Sequence, residues 1–432
     1  MSARLADAGM YAHLWGTPAV RAVFDERGRL QGWLDVLGAL ARAQAAYGLV
    51  PESAAQEISN LTVDLLDLEV VADRTRATGH STLGLIEALA LVLPPEVHAH
   101  VHVGATVQDL TDTWTATALR VVLGEVRHDL VLLQALLVDL AQLHRDTVMA
   151  GRTHGQPGAP ITFGWKAASW ADEVGRHLDR FDEGRSRWLV GQLGGGVGTL
   201  ASQGPDGLAV RARFCAELDL VDPGTAWLTA RDRIAEVGGV LAMVTGTLAR
   251  IGGEVYELQR PEIGELREGR APGVVGSITM PHKRNPEGSE HLDTLARLVR
   301  ANAGVLLEGM VGGHERDGRS WKAEWVALPE VCLLTAQASA MAVALLTSLE
   351  VDPAAMLKNL PAAAVSEQVL ALLTPRLGKH AAQSALQSAL ATGLPVAQAL
   401  SDLLSSRELR TLEPDTGHAG AMVDHVVARA RP

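Results

Sequence analysis

Apolar residues recur at three- and four-residue spacings along most of this chain, the pattern of helices that bury one face. Between Arg29 and Tyr47 (RLQGWLDVLGALARAQAAY) they predict a helix, which Gly48 ends at the usual C-terminal position. Arg74 to Leu93 reads as a turn around Gly79-His80 feeding a helix that Pro94-Pro95 closes. A small-residue turn at His102 opens a helical pattern through about Arg145, with Thr106 or Asp109 as cap candidates. Trp227 to Glu236 (WLTARDRIAE) starts another, running to about Pro261. Val331 to Leu349 carries no charge and is long enough for a membrane span. Gln337, several Ser and Thr positions and many alanines make it only weakly apolar, which suits the centre of a helix bundle better. After Glu350 the helices shorten, bounded by Pro353, Pro361, Pro375 and Pro395. The expected organisation is three helical domains, 1–100, 101–349 and 350–432, without internal repeats.

Composition narrows this to an all-α fold. The 432 residues are 47% hydrophobic but only 4% aromatic, so Ala and Leu carry the core. A net charge of -12 without a basic run argues against nucleic-acid binding. Cys215 and Cys332 have no metal or disulfide spacing, and MSARLADAG has no apolar signal core; both fit a reducing cytoplasm. No metal, flavin or nicotinamide motif is visible, so no cofactor and no membrane association are expected.

Three polar stretches interrupt the helical pattern. Gly276 to Glu290 (GSITMPHKRNPEGSE) holds Gly276, Pro281 and Pro286, through which no helix runs. It carries Ser277, His282, Lys283, Arg284 and Asn285, and then a helix start: a cationic loop opening into a helix N-terminus, a natural anion site. Gly151 to Pro160 (GRTHGQPGAP) predicts a loop between long helices, with His154 beside Arg152, Thr153 and Gln156. His98, His100 and His177 lack such company and read as structural. The third stretch is the turn before Thr106. Leu193 to Ala201 (LGGGVGTLA) lacks the strand–turn–helix setting of a nucleotide loop and reads as a sharp turn between packed helices. Arg231 and Arg233 stand at a helix start, the wrong end of its dipole, so Asp232, Glu236 or a ligand must offset them.

The Gly276 loop resembles the signature segment of the fumarase/aspartase superfamily. GATVQD (104–109) and GRTHGQ (151–156) resemble two further segments of that superfamily. The resemblance implies that Ser277 is the catalytic base and that Lys283 and Asn285 hold a substrate carboxylate. It also implies that Thr106 orients a second carboxylate, while His154, with Gln156, serves the leaving group. His80 lies in a TGH turn like one in adenylosuccinate lyases, and Arg316 is a candidate carboxylate partner. HERDGRSWKAEWVALPE (314–330) is similar to 3-carboxy-cis,cis-muconate cycloisomerases, with Trp321, Glu324 and Trp325 in register. Adenylosuccinate lyases place Arg where Trp325 stands and carry an Arg-Tyr pair near the N-terminus that is absent here. Both differences argue against a purine nucleotide. The implied architecture is a central long-helix bundle forming a twenty-helix core in a homotetramer, with active sites shared between subunits.

The implied reaction is an anti elimination. A base takes the proton beside a carboxylate, the charge is held as an aci-carboxylate, and a group leaves the neighbouring carbon. Donors aimed at that charge contribute about 3 kcal/mol each. They would be Lys283, Asn285 and backbone amides at the following helix start, closed over by a loop hinged at Gly269, Gly273 and Gly276. Val107, Ala230 and Ile278 are less polar than the superfamily pattern, each removing a hydrogen bond worth roughly 1–3 kcal/mol to a buried group. A non-standard substrate is therefore expected. The expected substrate is an N-substituted aspartate or nitrosuccinate, cleaved at C–N to release fumarate. The alternatives are a carboxymuconate-type lactone with C–O chemistry, or a non-catalytic relic of the fold. Retention of Thr106, His154, Ser277, Lys283 and Asn285 together argues against a relic.

Overall fold

The structure, a computed structural model, describes residues 5–80, 82–270, 273–280 and 282–430. Pro281 of the signature loop and Met1–Arg4 of the MSARLADAG stretch lie outside them. The chain is 66% helical and 5% strand, and divides into two compact units.

The first unit comprises residues 1–128, 179–246 and 294–340. Its Glu26–Ala45 helix is capped by Asp25, which accepts the Gly28 amide at 2.7 Å. Trp33, Leu34, Leu37, Leu40 and Ala41 recur at helical spacing and are buried. The Val107–Leu143 helix, 37 residues long, spans about 55 Å. In this unit Leu119, Val122 and Val126 form a buried seam along it, each no more than 1% exposed. Arg231 is offset neither by Asp232 nor by Glu236. It donates to Asp112 at 2.7 Å and to Glu324 at 2.9 Å, all three side chains being buried. The sequence could not show this, because the partners lie 119 and 93 residues away.

The second unit comprises residues 129–178, 247–293 and 341–432. Here the expected loop at Gly151–Pro160 is corrected. Val148–Thr153 and Gln156–Thr162 pair as an antiparallel hairpin. His154 (φ 52) and Gly155 (φ 74) are its two turn residues, a left-handed pair matched to the twist of a tight hairpin. Arg152 anchors the strand through a two-pronged ion pair with the fully buried Glu265, at 2.5 and 2.9 Å. Asn359 donates to the same carboxylate at 2.9 Å. Near the C-terminus Val369, Leu373, Leu386, Val396, Leu400 and Leu404 form a separate apolar cluster.

Two helices, Asp232–Leu258 and Gly318–Thr347, are long and apolar enough to cross a membrane by length and composition alone. Of their most apolar windows 61% and 56% are buried within the protein, which makes them core helices.

Candidate active site

In the first unit, Thr106 precedes the Val107–Leu143 helix. Its amide donates to Asp109 Oδ2 at 2.9 Å, one half of a capping box. Its hydroxyl is thereby left for another partner: Arg316 Nη2 donates to Thr106 Oγ1 at 2.8 Å. Arg316 Nε is buried and has no acceptor. Asp109 also accepts the Gly194 and Gly195 amides, both at 2.9 Å. The glycine-rich loop thus cradles the protein's own carboxylate. Gly195 has φ 71, and a Cβ at Gly194 would meet Ala226 at 2.8 Å, so other residues do not fit this loop. His102 (φ 60) lies beside Thr106, with a buried Nε2 that has no partner. Burial lowers its pKa. His80 is exposed, and its Nδ1 accepts the amides of Thr82 and Leu83 at 3.4 and 3.3 Å, which caps the Leu83–Leu89 helix.

Burial raises Asp109 from 3.8 to about 6, against the pull of the three amides and Arg316. The folded protein therefore holds this proton more tightly than the unfolded chain. Asp109's contribution to stability is present at acid pH and declines as pH rises through about 6. The geometry favours the ionised form as the working one, since that carboxylate accepts all three amides and is drawn to Arg316. Activity should fall on the acid side with a midpoint near pH 6. Asp109→Asn should lower turnover at every pH and abolish that limb. A pH–rate profile of kcat/KM checks both; an unchanged limb in the variant would remove Asp109 from this role.

In the second unit, the hairpin turn presents His154 and Gln156 exposed to solvent. Ser277, Lys283 and Asn285 share the loop before the Glu287–Glu308 helix. Ser277 is half-buried, and its Oγ accepts the Met280 amide at 3.1 Å. Such a donor favours the ionised hydroxyl. Asn285 Nδ2 donates to Gly276 O at 2.7 Å and to Glu287 at 3.1 Å, closing the loop's base. Lys283 is exposed, and Ile278 is 95% exposed. The expected free amides at the helix start are corrected: Glu268 accepts those of Gly288 and Ser289 at 3.1 and 2.8 Å. That carboxylate fills the positive end of the helix from 20 residues upstream.

A family profile described as lyase matches residues 15–301. N-acetyl-S-(2-succino)cysteine lyase of Dickeya dadantii is 38% identical over 88% of this chain and 85% of its own. The 3-carboxy-cis,cis-muconate cycloisomerase of Pseudomonas aeruginosa is 40% identical over 84% and 81%. The crystal structure of the 3-carboxy-cis,cis-muconate lactonizing enzyme from Pseudomonas putida superposes with a TM-score of 0.90. It is 35% identical and covers 98% of this chain and 99% of that one. The chain belongs to the fumarase/aspartase superfamily. It is an enzyme of the lyase or cycloisomerase class, and its all-helical fold is the superfamily fold.

The sequence singled out the three loops and named Asp109 as a cap candidate beside Thr106; the structure places it at the third position of the helix start, where its carboxylate accepts the Thr106 amide. His102 and Glu268 gave no local signal.

Proposed function

We propose that this enzyme eliminates a heteroatom substituent from a 2-substituted succinate and releases fumarate, with sulfur as the leaving atom. The observation that carries this reading is the Arg316–Thr106 pair, a half-buried guanidinium with an unpartnered Nε beside a hydroxyl. It is a receptor for one carboxylate. The second carboxylate goes to Lys283 and to Asn285, which exchanges Glu287 for substrate. Ser277 Oγ takes the proton from the carbon beside that carboxylate. The electron pair becomes the carbon–carbon double bond, the carbon–sulfur bond breaks, and the thiolate departs. His154 and Gln156 face the leaving group, and His80 supports that end.

A thiol has a pKa of about 8.5, so it departs as an anion with little help from an acid. Val107, Ala230 and Ile278 suit a substituent that needs few hydrogen bonds. The name of the Dickeya relative supports the same chemistry. We further infer a homotetramer whose sites draw loops from different subunits. Val121, Val131, Leu132, Val305, Leu307 and Val326 are apolar side chains left exposed on long helices, the kind of surface association covers.

A cycloisomerase reading has its own support in Trp321, Glu324 and Trp325 and in the 40% identity to the Pseudomonas aeruginosa enzyme. Fumarate release, followed by ultraviolet absorbance, separates the readings. N-acetyl-S-(2-succino)cysteine should turn over fastest, ahead of N-substituted aspartates and nitrosuccinate. Turnover of an N-substituted succinate ahead of the thioether would move the leaving atom to nitrogen. Silence across the succinates with activity on 3-carboxymuconate would install the cycloisomerase.

A further inference from the structure

The segment that carries Ser277 runs from the end of the Asp232–Leu258 helix to the start of the Glu287–Glu308 helix. Gln259 stands at its root, half-buried, directly after the first of these helices. Its side-chain amide is used at both ends. Oε1 accepts the Glu268 amide at 2.6 Å, 9 residues on, and Nε2 donates to the Arg284 carbonyl at 3.1 Å, 25 residues on. Ser277 lies between those two points. A carboxamide suits this double task, since a carboxylate lacks the donor and an ammonium lacks the acceptor.

Two further ties join the same two limbs. Arg270 Nη2 donates to the Lys283 carbonyl at 3.4 Å, and a Cβ at Gly276 would collide with that guanidinium. Asn285 Nδ2 donates to the Gly276 carbonyl at 2.7 Å. Lys283, Arg284 and Asn285, consecutive on the second limb, are thus each tied to the first limb, and Ser277 follows directly after the last tie. Glu268, whose amide Gln259 holds, also fixes the next helix by accepting the Gly288 and Ser289 amides. All these residues belong to the second unit. The Arg270 and Asn285 ties are made by the loop on itself and can move with it. Gln259 is different, because it extends a 27-residue helix whose last turn is held by the buried Val255 and Leu258. It refers the loop to the rigid scaffold.

We infer that Gln259 is a positioning residue for the reaction: it clamps the two limbs of the loop at their root and so sets where the Ser277 oxygen stands relative to Lys283 and Asn285. The inference rests on the reading of Ser277 as the base. Released from Gln259, the limbs keep their mutual ties but lose their fixed place on the helix.

Gln259→Glu is the sharpest probe, since it keeps the size and the acceptor and exchanges only the donor for an oxygen. Its kcat for fumarate release should fall roughly ten- to a hundredfold, as for about 1 Å of misplacement, with KM changed by no more than about threefold. The split follows because Lys283 reaches on a flexible stem, whereas the Ser277 oxygen is carried close to the backbone. Trypsin should cut after the exposed Lys283 and Arg284 roughly tenfold faster, as loss of one hydrogen bond implies, while cutting elsewhere and Tm stay parental. Gln259→Met, which drops both arms without adding charge, should show both changes at larger size and decides the matter if Gln259→Glu does not fold. Parental kcat, unaltered cutting after Lys283 and Arg284, or faster cutting along the whole chain with a lowered Tm would each overturn the clamp. If the parent itself releases no fumarate from any succinate, the reading of Ser277 falls, and the trypsin comparison alone still decides whether Gln259 holds the loop.

Discussion

Ser277→Ala should lose fumarate release by roughly a hundred- to ten-thousand-fold, the usual range for removing a positioned base, while its thermal midpoint stays that of the parent. The reasoning begins with what the side chain touches. Its oxygen accepts one amide, from Met280, and the loop is otherwise closed by Asn285, Gln259 and Glu268. Losing one exposed hydrogen bond leaves these in place, so the fold survives. No other hydroxyl in the described loop has this setting: Thr279 is exposed and Ser289 is buried in the first turn of the next helix. A serine is a weak base unless its ionised form is stabilised. In the proposed mechanism the Met280 amide and the cationic residues that follow would provide that. KM should change little, because Ser277 is assigned the proton and not the carboxylates. A Ser277→Ala enzyme with near-parental kcat would assign the base elsewhere, and a protein with no turnover in either form would point to a relic.

Arg231→Met should be the most destabilising single change in the first unit. It leaves Asp112 and Glu324 facing each other, both buried, without the guanidinium between them. Breaking a buried ion pair from one side costs about 3–5 kcal/mol, because the remaining charge has neither water nor partner. Burial already pushes Glu324 above the usual carboxylate range even with Arg231 present. Adding Glu324→Gln and Asp112→Asn to the variant should recover part of the loss by removing the stranded charges. Urea denaturation followed by circular dichroism reads both steps. A single variant with the parental midpoint would mean that this network contributes no net stability.

What the sequence displayed and what it hid divide along a physical line. Periodic burial showed the long helices, because a helix needs only its own residues to reveal its face. The Glu26–Ala45 and Val107–Leu143 helices appear within a few residues of their expected positions. The hairpin at Val148–Thr162 was hidden, since its prolines and glycines read as helix breakers and its strands are six and seven residues long. The left-handed His154–Gly155 pair that makes the turn is a conformation and not a composition. Ser277, His154 and Thr106 stood out as candidates because each stands in a short polar segment against an apolar background. Their supports were not: Glu268 reaches 20 residues to a helix start, Glu265 reaches 113 to Arg152, and Arg316 reaches 210 to Thr106. Such partners are fixed by tertiary folding, which periodicity does not encode.

Fumarate bound to the protein offers the most direct measurement. An experimental structure of that complex should show one carboxylate on Thr106 and Arg316 and the other on Lys283 and Asn285. A Ser277 Oγ should stand roughly 3–3.5 Å from an olefinic carbon, the distance of a group poised to react. Fumarate held by those side chains with every Ser277 hydroxyl beyond contact would contradict the role given to this serine.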